Sequence, residues 1–447
     1  MAGIASDGRR RYAVVGTGAR AEMFVRAITA AHAGTAQLVA LADVNQTRMD
    51  THNRWLAAAG QHPVPTYDAG DVATMLQREQ VDELVVTSVD RTHAEYIVTA
   101  LEAGCDVLTE KPMTVDAAGC RRILDAVRRT GRRVSVAFNY RFNPLLEAVR
   151  TLLADGEIGE VGSVHFEWLL DVRHGADYFR RWHRDKANSG GLLVHKSGHH
   201  FDLVNWWLAA APVQAYASGR LFFYGEAGAR HGYARDYERV HGSPAAKDDP
   251  FALRLADNQK LRELYLDAED DDGYHRDQNV FAPGVSIEDD MAVLVRYDNG
   301  ATMTYHLTAY APWEGYRVMF NGSKGRLELD VVESDHVRLD GAGELKGEAI
   351  HGAAAAVEKG SATITVRPFW APPRVVPVPG RSRDGHGGAD ARMTAVLLGG
   401  QTDPMARSAT ARDGALALLT GLAANRSMAS GAPVRIADLV DLSTDPS

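Results

Sequence analysis

The stretch YAVVGTGARA, residues 12–21, decides the fold of the first part of the chain. A short apolar run leads directly into a GxGxxA motif that starts at Gly16 and is followed by a helical pattern. Gly16 permits a tight turn, Gly18 lets the backbone approach a pyrophosphate, and the final alanine lets the helix pack closely on a sheet. The stretch predicts a dinucleotide-binding turn, with Ala19 and Arg20 also contacting the cofactor.

Further apolar runs alternate with helical patterns up to residue 138. The runs are QLVALAD (37–43), VDELVVTS (81–88), DVLTE (106–110) and RVSVAF (133–138). The helical patterns cover residues 20–33, 45–59, 93–103 and 115–129, with Thr114 as the expected N-cap of the last. Such runs are typical of strands buried on both faces of a parallel sheet. Residues 1–138 are therefore predicted to form a doubly wound α/β domain of the Rossmann type.

The pattern changes in residues 139–447, which are predicted to form an α+β domain with a large open, mostly antiparallel sheet. Alternating strands are expected within 163–171, 291–307 and 316–332, and helices at 144–154, 198–209 and within 389–430. Residues 224–285 are interpreted as an insertion over a site or a partner, with one helical piece near 251–266, and residues 370–388 as a loop. The strands at 291–332 leave one sheet face uncovered, which predicts a homodimer or homotetramer.

Composition excludes several classes of protein. The 447 residues carry a formal net charge of −9 with no basic tail, which argues against nucleic acid as a partner. Two cysteines exclude a disulfide scaffold, and no apolar run reaches the ~20 residues of a membrane-spanning helix. Three arginines at 9–11 precede an apolar run too short for an export signal, so a cytoplasmic location is expected.

Asp43 ends the second apolar run, where an acidic side chain binds the 2′-hydroxyl of the adenosine ribose. A carboxylate there repels the 2′-phosphate of NADP, so NAD is the predicted cofactor. Arg48 lies just beyond and could accept a 2′-phosphate, which keeps NADP as the second choice. The alternative is a glycine turn that binds no cofactor.

Two groups of ionisable residues suggest a reaction centre. Glu110-Lys111-Pro112 stands at the carboxyl end of a predicted parallel strand, where open α/β sheets bind ligands. Within the run GGLLVHKSGHHFD (190–202), His195, His199 and Asp202 are spaced so that one helix would align them. From the residues alone, the lysine is either functional or merely solvated. The histidines could transfer protons, pack in the core, or bind zinc.

Several segments resemble the glucose–fructose oxidoreductase/inositol dehydrogenase (Gfo/Idh/MocA) family between residue 12 and about 436. They are AVVGTGARA, ALADVNQTR, SVDRTHAEY, AGCDVLTEKPMT, FNYRFNP, the GG-x7-H-x2-D cluster and NGSKGRLEL. The resemblance implies that Lys111 touches substrate and cofactor and that His199 is the proton acceptor. Ser88-Val89 stands where the family often has Thr-Pro, near the nicotinamide ribose. Glu110 and His93 are included in the predicted cofactor site, although His93 could instead be a packing residue at a helix N-terminus.

His195 departs from the family pattern, which commonly has aspartate there. An imidazole cannot supply the permanent negative charge that orients the catalytic histidine. Either His195 shares the role of base, or another carboxylate, such as Asp202 or one from the insertion, compensates. No metal is included in the predicted site.

Other polar residues are predicted to surround a small carbohydrate substrate together with the two catalytic histidines. They are Asn139, Arg141, Trp182, His183, His306 and His386. Trp182 could stack on a sugar face, although a buried tryptophan is the simpler interpretation.

The resemblance implies NAD-dependent oxidation of a secondary alcohol on a sugar, glycoside or polyol. The long insertion favours a glycoside, oxidised at C3. One alternative is an NAD-dependent glycosidase that acts by transient oxidation and elimination. A second alternative is a sugar-pathway regulator that binds NAD without turnover, and the intact Lys111 and His199 argue against it.

Overall fold

The computed structural model describes residues 8–337, 360–378 and 388–442. The strands are β1 (Arg10–Val15), β2 (Ala36–Asp43), β3 (Thr66–Asp68), β4 (Glu83–Val86), β5 (Asp106–Thr109), β6 (Val134–Val136), β7 (Val161–Asp171), β8 (Pro212–Arg220), β9 (Asp290–Tyr297), β10 (Thr302–Ala311), β11 (Glu314–Gly322), β12 (Gly325–Ser334), β13 (Ser361–Pro368), β14 (Arg374–Val376), β15 (Ala409–Thr410) and β16 (Val434–Arg435). The α-helices are α1 (Ala21–Arg26), α2 (Gln46–Ala58), α3 (Val72–Arg78), α4 (His93–Glu102), α5 (Ala117–Thr130), α6 (Pro144–Ala154), α7 (Val172–Phe179), α8 (Lys186–Ser189), α9 (Leu192–His195), α10 (Gly198–Leu208), α11 (Gln259–Leu261), α12 (Glu269–Asp272), α13 (Ala389–Leu397) and α14 (Ala411–Ser430).

The first sheet has the order β15-β6-β5-β4-β1-β2-β3. Strands β1 to β6 pair in parallel, and only β15 joins antiparallel, on the outer edge of β6. All four residues of β4 and of β5 are buried, as expected for strands that are covered on both faces. The predicted Rossmann class is confirmed, and the carboxyl ends of β1, β4 and β5 lie side by side at one edge.

The second sheet has the order β14-β13-β12-β11-β7-β10-β9-β8-β16. Its strands pair antiparallel except for β7 and β10, so the predicted large, mostly antiparallel sheet is also confirmed. Alternate residues of β9 and β10 are buried on one face. On the other face of neighbouring strands, Tyr216 and Leu294 are each 44% exposed. This exposed face is where the predicted homodimer or homotetramer would form, and the oligomeric state stays a prediction.

Three local predictions differ from the structure. Helix α5 is capped by Asp116, not Thr114, because the Asp116 carboxylate accepts the Gly119 amide at 2.6 Å. The helical piece expected near 251–266 is confined to residues 259–266, where α11 continues directly into a π-helical turn, and a separate 3₁₀ turn covers 255–257. Strand β14 lies in the stretch predicted to be a loop, where Pro and Arg residues masked a short edge strand.

The predicted insertion joins both halves of the molecule. On one side, Arg276 donates to the buried Asp177 of α7 at 2.8 Å. On the other, Asp272 forms an ion pair with Arg48 of α2 at 2.7 Å. In the part of the chain that the structure describes, no helix is both long and apolar enough to cross a membrane.

Candidate active site

The glycine turn follows β1 as the sequence predicts. Gly16 has φ +88°, and a Cβ there would lie 2.4 Å from the backbone of Ser88, so only glycine fits. The Ala19 amide donates to the Tyr265 hydroxyl at 3.1 Å. A pyrophosphate oxygen could accept from the same amide in place of the Tyr265 hydroxyl.

Asp43 ends β2 and is held by the glycine turn. Its carboxylate accepts from the Thr17 amide at 2.5 Å, the Thr17 hydroxyl at 2.9 Å and the Asn45 amide at 3.0 Å. Burial raises the pKa of Asp43, although Arg48 and the Thr17 hydrogen bonds oppose that shift. Gly16, Gly18, Ala19 and Asp43 thus form the geometry that would hold the pyrophosphate and adenosine ribose of a dinucleotide.

Lys111 follows β5 and reaches across to the glycine–histidine cluster. Its Nζ donates to the His195 carbonyl at 3.2 Å and lies 3.4 Å from His195 Nε2. Burial lowers the pKa of Lys111 against the opposing charges of Glu110 and Asp90. Glu110, which precedes Lys111, forms an ion pair with Arg20, which follows the glycine turn. Both were predicted to contact the cofactor, and their ion pair links the turn to the loop of Lys111.

Asp90, in the loop after β4, is the carboxylate that meets His195. The His195 Nδ1 lies 2.5 Å from Asp90 Oδ2, and the aspartate is 3% exposed. Burial raises the pKa of Asp90, and burial together with the Lys111 charge lowers the pKa of His195 well below its usual range. A neutral imidazole that accepts from Lys111 at Nε2 carries its proton on Nδ1, facing Asp90. The three side chains therefore form one chain, Lys111–His195–Asp90.

Asp90 is not among the site residues that the sequence predicts, and the compensating charge was expected at Asp202 or in the insertion. Asp202 is occupied elsewhere, because Arg141 donates to both of its oxygens at 2.8 and 2.6 Å. Burial raises the pKa of Asp202 to about 6, although the neighbouring Arg141 opposes that shift. The available signal was the position of Asp90 after a parallel strand, the same rule that singled out Lys111.

His195 and His199 do not share one helix, so the predicted single helical face is wrong. Helix α9 ends at His195, and the Ser197 amide bonds to the Leu192 carbonyl, five residues back, before α10 begins. His199 stacks on Tyr140 with ring centroids 4.4 Å apart. No three His, Cys, Asp or Glu side chains within the described ranges are grouped to hold a metal ion.

The predicted substrate residues separate into two groups. His183 and Trp182 lie beside His195, with ring centroids at 4.2 and 6.0 Å. Asn139 donates to Asp390 at 2.8 Å, and Arg141 is bound to Asp202, so these two are engaged away from His195.

His306 was misplaced by the sequence analysis, and His386 lies outside the described residues. The His306 side chain is 46% exposed and its Nε2 lies 3.0 Å from Asp290. Its neighbours Tyr305 and Leu307 point into the core, so the alternation of β10 sends His306 to the opposite face.

Ser88 and His93 connect the loops that follow β4 and β5. The Ser88 hydroxyl lies 2.7 Å from the Thr92 hydroxyl. The two ring nitrogens of His93 lie 3.0 Å from the Ser88 carbonyl and 2.8 Å from the Pro112 carbonyl. His93 therefore fixes the loop that carries Asp90 against the loop that carries Lys111.

Further buried polar groups lie next to this chain. His174 Nδ1 is 2.7 Å from Glu314 Oε1, and both residues are 5% exposed. Tyr178 links this pair to the site, because its hydroxyl is 3.4 Å from His174 Nε2 and its ring is 5.7 Å from that of His195. Lys196 donates to the Tyr140 hydroxyl at 3.2 Å, and burial lowers the pKa of Lys196 to about 8.

These groups can act as an acid–base centre beside a dinucleotide turn. Lys111 supplies an N–H donor, and His183 and His195, whose pKa values are lowered by burial, supply imidazole nitrogens that can accept a proton or a hydrogen bond. Burial strengthens each of these interactions because little water competes with them.

Comparisons with known proteins agree with this architecture. Residues 10–138 match the Gfo/Idh/MocA profile described as "Oxidoreductase family, NAD-binding Rossmann fold". Residues 150–436 match its companion, "Oxidoreductase family, C-terminal alpha/beta domain". The chain is 31% identical over 432 residues to the protein YteT of Bacillus subtilis, covering 94% of this chain and 96% of that protein.

Two further similarities are more restricted. The chain is 38% identical over 204 residues to an inositol 2-dehydrogenase of Gluconacetobacter diazotrophicus, covering 45% of this chain but only 55% of that enzyme. A crystal structure of aldose-aldose oxidoreductase from Caulobacter crescentus shares the fold, with a TM-score of 0.62 and 17% identity. That match covers 96% of this chain and 99% of the other.

Proposed function

Because the chain belongs to the Gfo/Idh/MocA oxidoreductase family, we propose that it oxidises a secondary alcohol of a sugar, glycoside or polyol, with NAD preferred over NADP. The observation that carries this proposal is the chain Lys111–His195–Asp90 at the carboxyl ends of β4 and β5. These side chains would form an acid–base centre beside the glycine turn, at the strand ends where open α/β sheets bind ligands.

Oxidation of an alcohol removes one proton and one hydride, and different groups accept the two. When bound, the dinucleotide supplies a nicotinamide that accepts the hydride from the carbinol carbon. Lys111 donates to the alcohol oxygen and stabilises the negative charge that develops there. His199 accepts the hydroxyl proton, so the substrate becomes a carbonyl compound. Asp90 acts through His195 and holds Lys111 charged and in position.

A polyhydroxylated substrate suits the surroundings of this centre. Trp182 is partly exposed beside His183, with ring centroids 3.5 Å apart, and offers a flat apolar face. Tyr178 and the pair His174–Glu314 add polar groups behind His195. Several hydroxyl groups on one ring could be recognised by such a combination of flat and polar surfaces.

The test is a panel of sugars, glycosides and polyols followed at the NADH absorbance, with the products identified. A keto product formed with stoichiometric NADH supports the proposal, and oxidation at C3 of a glycoside would specify it. Binding of NAD without turnover of any panel member would favour the regulator.

The pair His174–Glu314 favours a second candidate, a redox-neutral glycosidase. Elimination from a transient ketone needs a base for the neighbouring C–H and an acid for the leaving oxygen, beyond the groups that oxidise the alcohol. This buried pair, linked to the site by Tyr178, provides an additional acid and base. Free sugar without net NADH would identify this reaction. Glu314→Gln should then abolish bond cleavage while keeping reduction of NAD by the substrate.

A further inference from the structure

Residues 259–274 of the insertion, called here the strap, lie against the nucleotide-binding edge. The contacts are an ion pair of Lys260 with Glu22, and hydrogen bonds of Glu263 with Trp55 at 2.9 Å, the Leu264 carbonyl with Arg48 at 3.0 Å, Tyr265 with the Ala19 amide at 3.1 Å, the Ala268 carbonyl with Asn45 at 2.8 Å, and Asp271 with the Thr47 amide at 2.8 Å. The strap therefore follows the glycine turn and the first turns of α2.

Arg48 is the residue of α2 that the strap surrounds most completely. Its Nη1 forms an ion pair with Asp272 Oδ2 at 2.7 Å and lies 3.9 Å from Asp43 Oδ1. Its guanidinium carbon lies 5.7 Å from the ring centroid of Tyr265 and 5.8 Å from that of Tyr274. The side chain is only 10% exposed, so these contacts fix where its charge lies.

The charges around Arg48 bear on whether this site binds a ribose with a 2′-hydroxyl or one with a 2′-phosphate. Arg48 would attract a 2′-phosphate if it stood alone, but two carboxylates, Asp43 and Asp272, flank it. The three side chains together carry a net charge of −1, which repels a phosphate dianion and tolerates a hydroxyl. Arg48 Nη2 has no hydrogen-bond partner among the described residues, so one donor remains for a ribose hydroxyl.

We propose that Asp272 of the strap is a specificity-determining residue, which acts through its ion pair with Arg48 to favour a ribose 2′-hydroxyl over a 2′-phosphate. The inference rests on the proposed function only in requiring that this edge bind a nicotinamide dinucleotide. It gives part of the insertion a role in cofactor choice, in addition to Asp43 at the end of β2.

The test measures the dissociation constants of NAD and NADP by calorimetry, without substrate. We expect the full-length protein to bind NAD more tightly than NADP. Asp272→Asn should tighten NADP binding by roughly tenfold and change NAD binding by less than about threefold. In the Arg48→Gln background, the same substitution should no longer favour NADP, because the arginine that Asp272 neutralises is gone.

Two neighbouring substitutions serve as matched controls. Asp270→Asn removes an exposed charge from the same short helix and should leave the NAD to NADP ratio unchanged. Asp271→Asn weakens the hold on Thr47 without touching Arg48, so it reports on loosening of the strap. An equal gain of NADP affinity in Asp271→Asn would overturn the proposed role of the ion pair.

The remaining outcomes separate the two proposals. An unchanged ratio in Asp272→Asn, with NAD bound by the unmodified protein, overturns the inference alone. If the unmodified protein binds neither dinucleotide, the proposed function fails and the inference fails with it.

Discussion

Asp43 ends one strand of the first sheet and Asp90 lies in the loop after another. Both are buried, but they are held by different kinds of partner. Asp43 accepts from two backbone amides and one hydroxyl, none of which gains or loses a proton in the ordinary pH range. Asp90 faces His195 and, through it, Lys111, both of which titrate. One carboxylate has a fixed environment, and the other belongs to a coupled set.

The two environments predict different responses to pH and to mutation. Changes at Asp43 should alter how tightly the dinucleotide binds, with little effect on the pH dependence of the reaction. Changes at Asp90 should alter the reaction and its pH dependence while the dinucleotide still binds.

Lys111→Ala should lower kcat by roughly 10²–10⁴-fold, because it removes the donor that stabilises charge on the substrate oxygen. The dissociation constant of NAD should change by less than about tenfold. Steady-state kinetics and calorimetry measure the two effects. The control is Lys324→Ala, which removes an exposed lysine from the turn between β11 and β12. Unchanged kcat in Lys111→Ala would contradict the proposed mechanism.

Asp90→Asn should lower kcat/KM by roughly 10–100-fold at neutral pH, because Lys111 loses the nearby negative charge of Asp90, to which His195 links it. The Asp90 charge raises the pKa of Lys111 against the effect of burial. Without that charge the pKa of Lys111 falls, and the lysine loses its proton at lower pH. The alkaline limb of the pH–rate profile should therefore move to lower pH, which a purely structural role of Asp90 would not cause.

Replacing the imidazole by a carboxylate gives the converse experiment. His195→Asp should keep substantial activity, since it places a negative charge directly beside Lys111, whereas His195→Ala should lose much more. Because Asp90 lies beside position 195, its negative charge would repel the new carboxylate. The double variant His195→Asp/Asp90→Asn should be more active than His195→Asp alone, and its acid limb should differ from that of the unmodified protein.

Asp43→Ala should weaken NAD binding by roughly tenfold and reduce the preference over NADP, because a ribose hydroxyl loses its acceptor. The pH limits of kcat should stay where they are, in contrast to Asp90→Asn. Binding of both dinucleotides and a pH–rate profile at saturating NAD give the measurement. Equal or better activity of the unmodified protein with NADP would refute the assignment of NAD.

Tyr265→Phe should give the smallest effect, a few-fold faster and tighter association of NAD. The Tyr265 hydroxyl accepts a hydrogen bond from the Ala19 amide. It therefore competes with a pyrophosphate oxygen for the same donor. Stopped-flow quenching of protein fluorescence follows the association. Slower or weaker binding in this variant would mean that the hydroxyl helps to hold the dinucleotide.

The sequence was sufficient for the fold and for the place of the glycine turn because both depend on local patterns. The turn at Gly16, the strand that ends at Asp43 and the lysine that follows β5 are each specified within a few residues. The periodicity of the apolar runs likewise indicated two kinds of sheet, and the structure contains both.

The reaction centre was harder to predict because its partners come from distant parts of the chain. His195 meets Asp90 across 105 positions, and spacing within the histidine cluster gave no hint of that pairing. The i, i+4 spacing was misleading because a turn at Ser197 separates α9 from α10. His306 was misassigned since a residue's face depends on strand register, which the composition of the segment does not reveal.

The short strand β15 has a consequence for how the protein is made. It closes the edge of the first sheet by pairing Ala409 and Thr410 with β6, although nearly three hundred residues separate the two strands in the chain. During synthesis, the β6 edge emerges from the ribosome long before its partner exists. An N-terminal fragment that ends at residue 138 would keep that edge bare and should self-associate. The sheet of the nucleotide-binding domain is thus completed only after the chain has been made as far as Thr410.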